Sequence, residues 1–359
     1  MKIAFFGSSL VSAYWNGACT YYRGIVRALD ARGHRVTFYE PDAFDRQAHR
    51  DIANPDWAEV VAYEPSGEAA VRALVERAAA GAEVIVKASG VGVCDAVLEE
   101  AVAESTDPAA RVFWDVDAPA TLAAMEADPT HPLRELIVRY DLVLTYGGGR
   151  PVIDRYAALG ARACVPIYNA LDRETHHPEP PRPELACDLA FLGNRLPDRE
   201  ARVEEFFFRA AAALPQRYFL LGGNGWEERV EGLANLRYLG HVPPGDHNAL
   251  NRSALAVLNV SRESMAANGW SPATRVFEAA GAGACLVSDE WEGIEDFLTP
   301  GEEVLVARDG TEVAALVEGL DPERAARIGE AALERVRAEH TYDRRAEQVE
   351  AVLEGVPVG

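Results

Sequence analysis

The chain has no C-x-x-C pair, and its five cysteines are scattered. That spacing indicates neither a disulfide framework nor a zinc site. No apolar run is long enough to span a bilayer. The opening residues, MKIAFFGSS, read as one short strand, because no extended apolar segment follows Lys2 as a signal peptide requires. A cytoplasmic protein without integral membrane association is the expectation. Basic charge is also scarce: 35 Lys and Arg stand against 57 Asp and Glu, a formal net charge of -22. Such an excess works against nucleic acid as a partner and against docking on anionic membrane. It leaves room for a local basic cluster around one small anion.

Two nucleotide signatures are missing too. A dinucleotide-binding domain shows G-x-G-x-x-G after its first strand, whereas here that strand ends GSSLVS. The first strand of the second half ends GNRLPDR. No G-x-x-x-x-G-K-[ST] occurs, which argues against a P-loop kinase or ATPase. GGNG at 222–225 follows a strand and serves either as a turn or as a close backbone approach to a ligand.

What is present is length and alternation. With 359 residues and 48% hydrophobic content the chain exceeds one compact domain and can build two cores. KIAFF, RVTFYE, EVIVKA, RVFWDV, DLVLTY and ARACVPI read as strands, with amphipathic helical stretches between them. A polar, proline-rich stretch follows, and the pattern restarts with DLAFLG, YFLLGG, NLRYLG, SALAVLNV and ACLVSD. Alternating strand and helix means parallel sheets covered on both faces. The expected fold is α/β, with two doubly wound Rossmann-like domains facing a central cleft. The boundaries are 1–170 for the first domain, rejoined by a C-terminal helix in 341–359. Residues 171–186 form the linker and 187–340 the second domain. Ligands of such domains bind at the carboxyl ends of the strands.

NGWSPATRVFEAAGAGACLVSD, beginning at Asn268, carries the most information. Ser271 suits an N-cap and Pro272 the first helical position. The free N–H groups of such a helix start, near Asn268 and Gly269, attract phosphate. Arg275 and Glu278 are three apart and share a helix face. A carboxylate there accepts two hydrogen bonds side by side, which suits the two hydroxyls of a ribose. The competing reading is a plain Arg275–Glu278 surface pair. Cys285 reads as a core thiol; His176 and His177 resemble a metal-binding pair, but in a proline-rich linker they read as solvated.

RVFEAAGAGACLVSDEWEGIEDFLTPGEEVLVARD resembles the donor-binding segment of GT-B glycosyltransferases, most of all the CgeB-like spore-maturation group, related to the family 4-like enzymes. YYRGIVRALDARGHRVTFYE, FWDVDAP, NALDRETHHP and DLAFLGNRLPDR resemble further segments of that group. The resemblance implies transfer of a sugar from a UDP-, GDP- or dTDP-linked donor, with no separate cofactor and no metal. Glu278 would hold the ribose, and Arg195 or Arg199 would neutralise the diphosphate. Asn194 and Asn268 would be polar contacts to the donor, and His241 would sit where backbone groups read the base. One departure is Trp270, which stands where many family 4-like enzymes carry a second glutamate. It removes the usual contact to the donor sugar and any inference about stereochemistry.

Asp115-Val116-Asp117 spells D-x-D, the metal signature of the other large glycosyltransferase fold. In this setting it reads as a loop in which either carboxylate orients or deprotonates an acceptor hydroxyl. Asp117 equally suits an N-cap for the following APATLAAMEA. The loop after the first strand holds Tyr14, Trp15 and Asn16, expected either to contact the acceptor or to pack beneath neighbouring loops. Two other classes fit the same outline: a nucleotide-sugar 2-epimerase, and a non-catalytic two-lobed binding protein.

Overall fold

A computed structural model describes residues 1–14, 16–106 and 110–355. The chain divides into two compact units, Met1–Tyr168 with Tyr342–Gly359, and Asn169–Thr341.

The first unit is built on seven strands: β1 Lys2–Phe6, β2 Arg35–Pro41, β3 Glu59–Tyr63, β4 Val84–Ala88, β5 Ala110–Asp115, β6 Leu142–Thr145 and β7 Cys164–Pro166. They lie in the order β3-β2-β1-β4-β5-β6-β7, and every pairing is parallel. All five residues of β4 are buried, as a strand covered by helices on both faces requires. Lys87 belongs to that strand; its ammonium is fully buried and is matched by Asp95 and by Glu99 at 3.3 Å. The helix Tyr342–Glu354 closes this unit by packing on the helix Cys19–Ala31. Gly24 allows the approach, since a Cβ there would lie 2.3 Å from the Tyr342 ring.

The second unit repeats the plan with six strands: β8 Cys187–Leu192, β9 Phe219–Gly222, β10 Leu236–Gly240, β11 Ala254–Asn259, β12 Leu286–Asp289 and β13 Leu305–Ala307. Their order is β10-β9-β8-β11-β12-β13, again all parallel. After β8 the helical segments Glu200–Val203, Glu204–Phe208 and Arg209–Ala213 run on from one another, the middle one a π-helical turn. Phe206, Phe207 and Phe208 are all buried. Three consecutive residues of an α-helix sweep too wide an arc to share one apolar face, and the widened turn accommodates them.

Caps readable from sequence hold two later helices. Asp309 accepts from the N–H groups of Thr311 and Glu312, at 2.8 and 2.9 Å. Asp321 accepts from Arg324 N–H at 2.8 Å, ahead of Pro322 at the helix start. Residues 171–186, read as a linker, fall within the second unit, where Leu171 forms a bridge with Thr341. All five cysteines are free thiols. Among the described residues no helix is long and apolar enough to cross a membrane.

Candidate functional site

The loops after β8 and β9 are braced against each other at the carboxyl edge of the second sheet. Gly193 N–H donates to the Gly222 carbonyl at 2.9 Å, and Asn224 N–H to Asn194 Oδ1 at 2.9 Å. Gly223 has φ 113°, and a Cβ on it would lie 2.2 Å from the Gly193 carbonyl oxygen. GGNG is therefore a turn packed on GNRLPDR, and Asn194 serves it with its side-chain oxygen, which accepts a backbone N–H.

The structure separates the two candidate arginines. Arg195 is tied to Glu200 at 2.7 Å and donates to the Gly225 carbonyl at 3.4 Å. Arg199 donates to the Asn194 carbonyl at 2.7 Å and lies over the Phe191 ring, 5.8 Å from its centroid. Among the described residues no carboxylate pairs with it, and its Nε is buried without a hydrogen-bond partner. Burial, joined by the positive charge of Arg275, pushes its pKa down to about 10. Arg275 is half-buried, with no hydrogen-bond partner among the described residues. Burial lowers its pKa as well, against the opposing pull of Glu278. Two poorly compensated guanidinium groups thus lie close enough to feel each other's charge, which is unfavourable without an anion nearby.

The helix carrying Arg275 and Glu278 spans Thr274–Gly281, two residues later than the sequence signals predict. Ser271 does not cap it: its hydroxyl donates to the Gly269 carbonyl at 2.9 Å, and Ala273 takes the N-cap position without a side-chain bond. Gly269 has φ 67° and a Cβ there would meet the Glu292 carbonyl oxygen at 2.8 Å, so the tight turn before the helix demands glycine. Asn268 donates to the Ser264 carbonyl at 2.7 Å. Trp270, at φ 40°, donates from its indole to Asp296 at 2.7 Å and packs on Gly293. Arg275 and Glu278 form no direct ion pair, so a plain surface pair does not account for them.

Glu278 has other neighbours. His176 Nε2 lies 3.8 Å from Glu278 Oε1. His176, His247 and Glu278 each bring one nitrogen or oxygen to within 4.8 Å of the others, and all three are half-buried. Burial lowers the His247 pKa, Glu278 opposes the shift and Arg275 adds to it. His176 is thus not the solvated linker residue its surroundings suggest. No short motif could have joined these three, because they come from the stretch 171–186, the start of the helix His247–Ser253 and the helix Thr274–Gly281. His241 is exposed in the turn after β10, outside this group. At the end of β12, Asp289 is buried and accepts from Ser261 N–H, from Asn259 at 3.2 Å and from Arg202 at 2.7 Å.

In the first unit Asp115 is no accessible base. It is fully buried, its Oδ1 accepts from Ser89, Asp117 N–H and Thr121 at 2.8, 3.0 and 2.9 Å, and its Oδ2 accepts from Tyr156 at 2.5 Å. This carboxylate fastens the end of β5 to two helices. Asp117 is half-buried at the N-cap position of the helix Ala118–Ala127, without a side-chain cap bond. Asn16 is likewise spent on structure: its amide donates to the Ser9 and Ser12 carbonyls at 2.8 and 3.1 Å and accepts from Ser8 at 2.8 Å. Tyr14 is exposed and stacks on His49 with ring centroids 4.1 Å apart. Trp15 lies outside the described residues.

Residues 199–351 match the family model described as Glycosyl transferase-like. No curated protein matches the sequence. Among solved structures, the chain is similar to sucrose-phosphate synthase from Thermosynechococcus elongatus, with TM-score 0.71 and 16% identity over 99% of this chain and 98% of that one. It is similar to Anabaena HepE in complex with UDP-glucose, with TM-score 0.66 and 16% identity over 99% of both chains. The T4 phage β-glucosyltransferase also matches, with TM-score 0.62 and 14% identity over 99% of both chains. The fold is GT-B: two Rossmann-like units in one chain.

Proposed function

We propose that the chain is a glycosyltransferase of the CgeB-like group, taking a hexosyl or related glycosyl group from a UDP-, GDP- or dTDP-linked donor in the cytoplasm. The observation that carries this reading is Arg199 lying close enough to Arg275 to feel its charge, with Glu278 one turn further along the helix of Arg275. These residues lie within the segment matching the glycosyl transferase-like family. The likeness to a structure holding UDP-glucose supports the same donor chemistry.

In this account the two guanidinium groups and the uncapped start of the helix Thr274–Gly281 hold the diphosphate. Glu278 accepts from the ribose hydroxyls. An acceptor oxygen attacks the anomeric carbon, the bond from that carbon to the diphosphate oxygen breaks, and the acceptor proton leaves to a base. Asp117 is the residue proposed to orient or deprotonate the acceptor. Departure of the diphosphate is stabilised by the fixed cations, which supply charge where it develops. No separate cofactor enters this scheme, and no metal is assigned to the diphosphate.

The test is an assay for nucleoside diphosphate released from UDP-, GDP- and dTDP-linked sugars with candidate acceptors. Release from one donor class, reduced on the order of tenfold or more in Arg199→Ala, is expected, because that change removes a charge-assisted contact. Absence of both release and binding for every donor overturns the reading.

A further inference from the structure

Around Glu278 the side chains are arranged as a ligand set. His176 offers Nε2, which faces Glu278 Oε1 at 3.8 Å. Its other ring nitrogen, Nδ1, is hydrogen-bonded to the Thr175 hydroxyl at 2.9 Å. His247 is the mirror case. Its Nε2 lies 3.1 Å from the Val242 carbonyl and can only donate to it, which leaves Nδ1 as the lone-pair nitrogen. Both imidazoles therefore have one nitrogen fixed by a neighbour and one left over. A backbone carbonyl or hydroxyl on the far nitrogen is the support that orients metal-binding histidines.

The spacing suits a small transition-metal ion. Bonds of about 2.0–2.1 Å to nitrogen and oxygen put tetrahedral ligand atoms about 3.3 Å apart. One nitrogen of each imidazole and one carboxylate oxygen lie within 4.8 Å of one another before any ion draws them in. A salt bridge alone does not explain the group, because a single carboxylate would need only one imidazole. Nor do the histidines serve as ordinary core residues, since all three side chains remain half-buried and reachable from solvent.

We propose that His176, His247 and Glu278 bind a divalent ion of the zinc class, through two imidazoles and one carboxylate with water completing the shell. Two imidazoles and a carboxylate favour zinc, cobalt or nickel over magnesium or calcium, which take oxygen ligands. Arg275 stands one turn ahead of Glu278 on the same helix, and its positive charge opposes the ion, which binds with modest affinity. The site also takes up the carboxylate assigned above to the ribose. Metal and nucleotide then compete for Glu278, and zinc acts as an inhibitor, not a cofactor. The metal site rests on side-chain geometry and stands whether or not the nucleotide reading does; only the competition depends on both.

Full-length protein, freed of metal with EDTA and then dialysed, is titrated with Co2+, whose visible absorption reports nitrogen and oxygen ligation. One equivalent is expected, without the sulfur charge-transfer band that a cysteine site would give. His176→Ala, His247→Ala and Glu278→Gln each weaken binding on the order of 10–100-fold or more. The exposed His241 serves as control, and His241→Ala leaves Co2+ binding unchanged. Melting curves of the metal-free variants verify folding, and His176→Gln and His247→Gln replace any alanine variant that melts early. UDP, GDP and dTDP binding, measured separately by calorimetry, should persist in the histidine variants and fall when Zn2+ is added to the parent. No saturable Co2+ binding up to about 1 mM overturns the proposal, as does binding unchanged in both histidine variants. Cobalt binding without nucleotide binding would instead count against the nucleotide reading alone.

Discussion

Arg275 lies close enough to Arg199 to help lower its pKa, with burial as the larger cause. Two neighbouring cations in a half-buried setting are unfavourable until an anion joins them. Arg199→Ala should therefore weaken nucleoside diphosphate binding on the order of 10–100-fold, the range for losing a charge-assisted hydrogen bond. Arg195 is already satisfied by Glu200 at 2.7 Å, and Arg195→Ala should change affinity by less than about threefold. Calorimetry on the two variants checks the contrast, and equal losses would mean that the pairing with Glu200 does not distinguish them.

The two aspartates of D-x-D should separate in the same way. Asp115→Asn strips acceptor capacity from a fully buried carboxylate holding Ser89, Thr121 and Tyr156. It should cost about 1–3 kcal/mol of stability in denaturant melts while leaving nucleotide affinity alone. Asp117→Asn should instead lower turnover with stability and nucleotide affinity near the parent's. A turnover unchanged in Asp117→Asn would reduce Asp117 to a residue at a helix start.

Acid sensitivity should have a contribution from Asp141. Burial works to raise its pKa, but bonds from Arg111 Nε and Nη2, both at 2.9 Å, and from Arg162 at 2.8 Å outweigh that and lower it. The unfolded chain then binds this proton more readily than the folded one. The stabilisation is fully present above about pH 4, the unfolded value, and is lost as pH falls through the lower folded value. Asp141→Asn should cost about 1–3 kcal/mol at pH 7 and nothing at the acid end. Urea melts at several pH values would show the two curves converging as pH falls; parallel curves would remove Asp141 from the acid response.

Chelation gives an independent check. Because Arg199 and Arg275 supply the charge assigned to the diphosphate, transfer should persist in EDTA. Zinc added in excess should inhibit, and His176→Ala should relieve that inhibition. Activity abolished by EDTA and restored by manganese would mean that the arginines do not suffice.

Much of the architecture was legible because buried parallel strands announce themselves. VIVKA and ALAVLN are mostly apolar runs bounded by turns, each with a single polar residue, and Gly33 marks the end of its helix with φ 87°. Glu59–Tyr63 and Leu305–Ala307 were not read as strands: one mixes exposed and half-buried positions and the other has three residues. Both lie at sheet edges, where hydrogen bonding to a neighbour defines the strand more than hydrophobicity does. At the site, Arg199, Arg275 and Glu278 could be found because a loop after a strand and a helix face are local patterns. His247 could not, since it reaches Glu278 only through tertiary packing. Asp115 misled for a related reason: strand periodicity tells which face a side chain occupies, not whether three hydroxyls wait there to bind it.

Calorimetric titration of UDP, GDP and dTDP into the parent and Glu278→Ala, both metal-free, tests the central claim most directly. The account predicts that one of the three binds the parent, at a hundred times its dissociation constant adding about 2.7 kcal/mol of stability. In Glu278→Ala, folded as judged by its melting curve, that affinity should fall on the order of tenfold or more, as loss of a carboxylate that takes ribose hydroxyls requires. Binding of the same nucleotide at parental affinity in Glu278→Ala, or of none of the three to the parent, would contradict it.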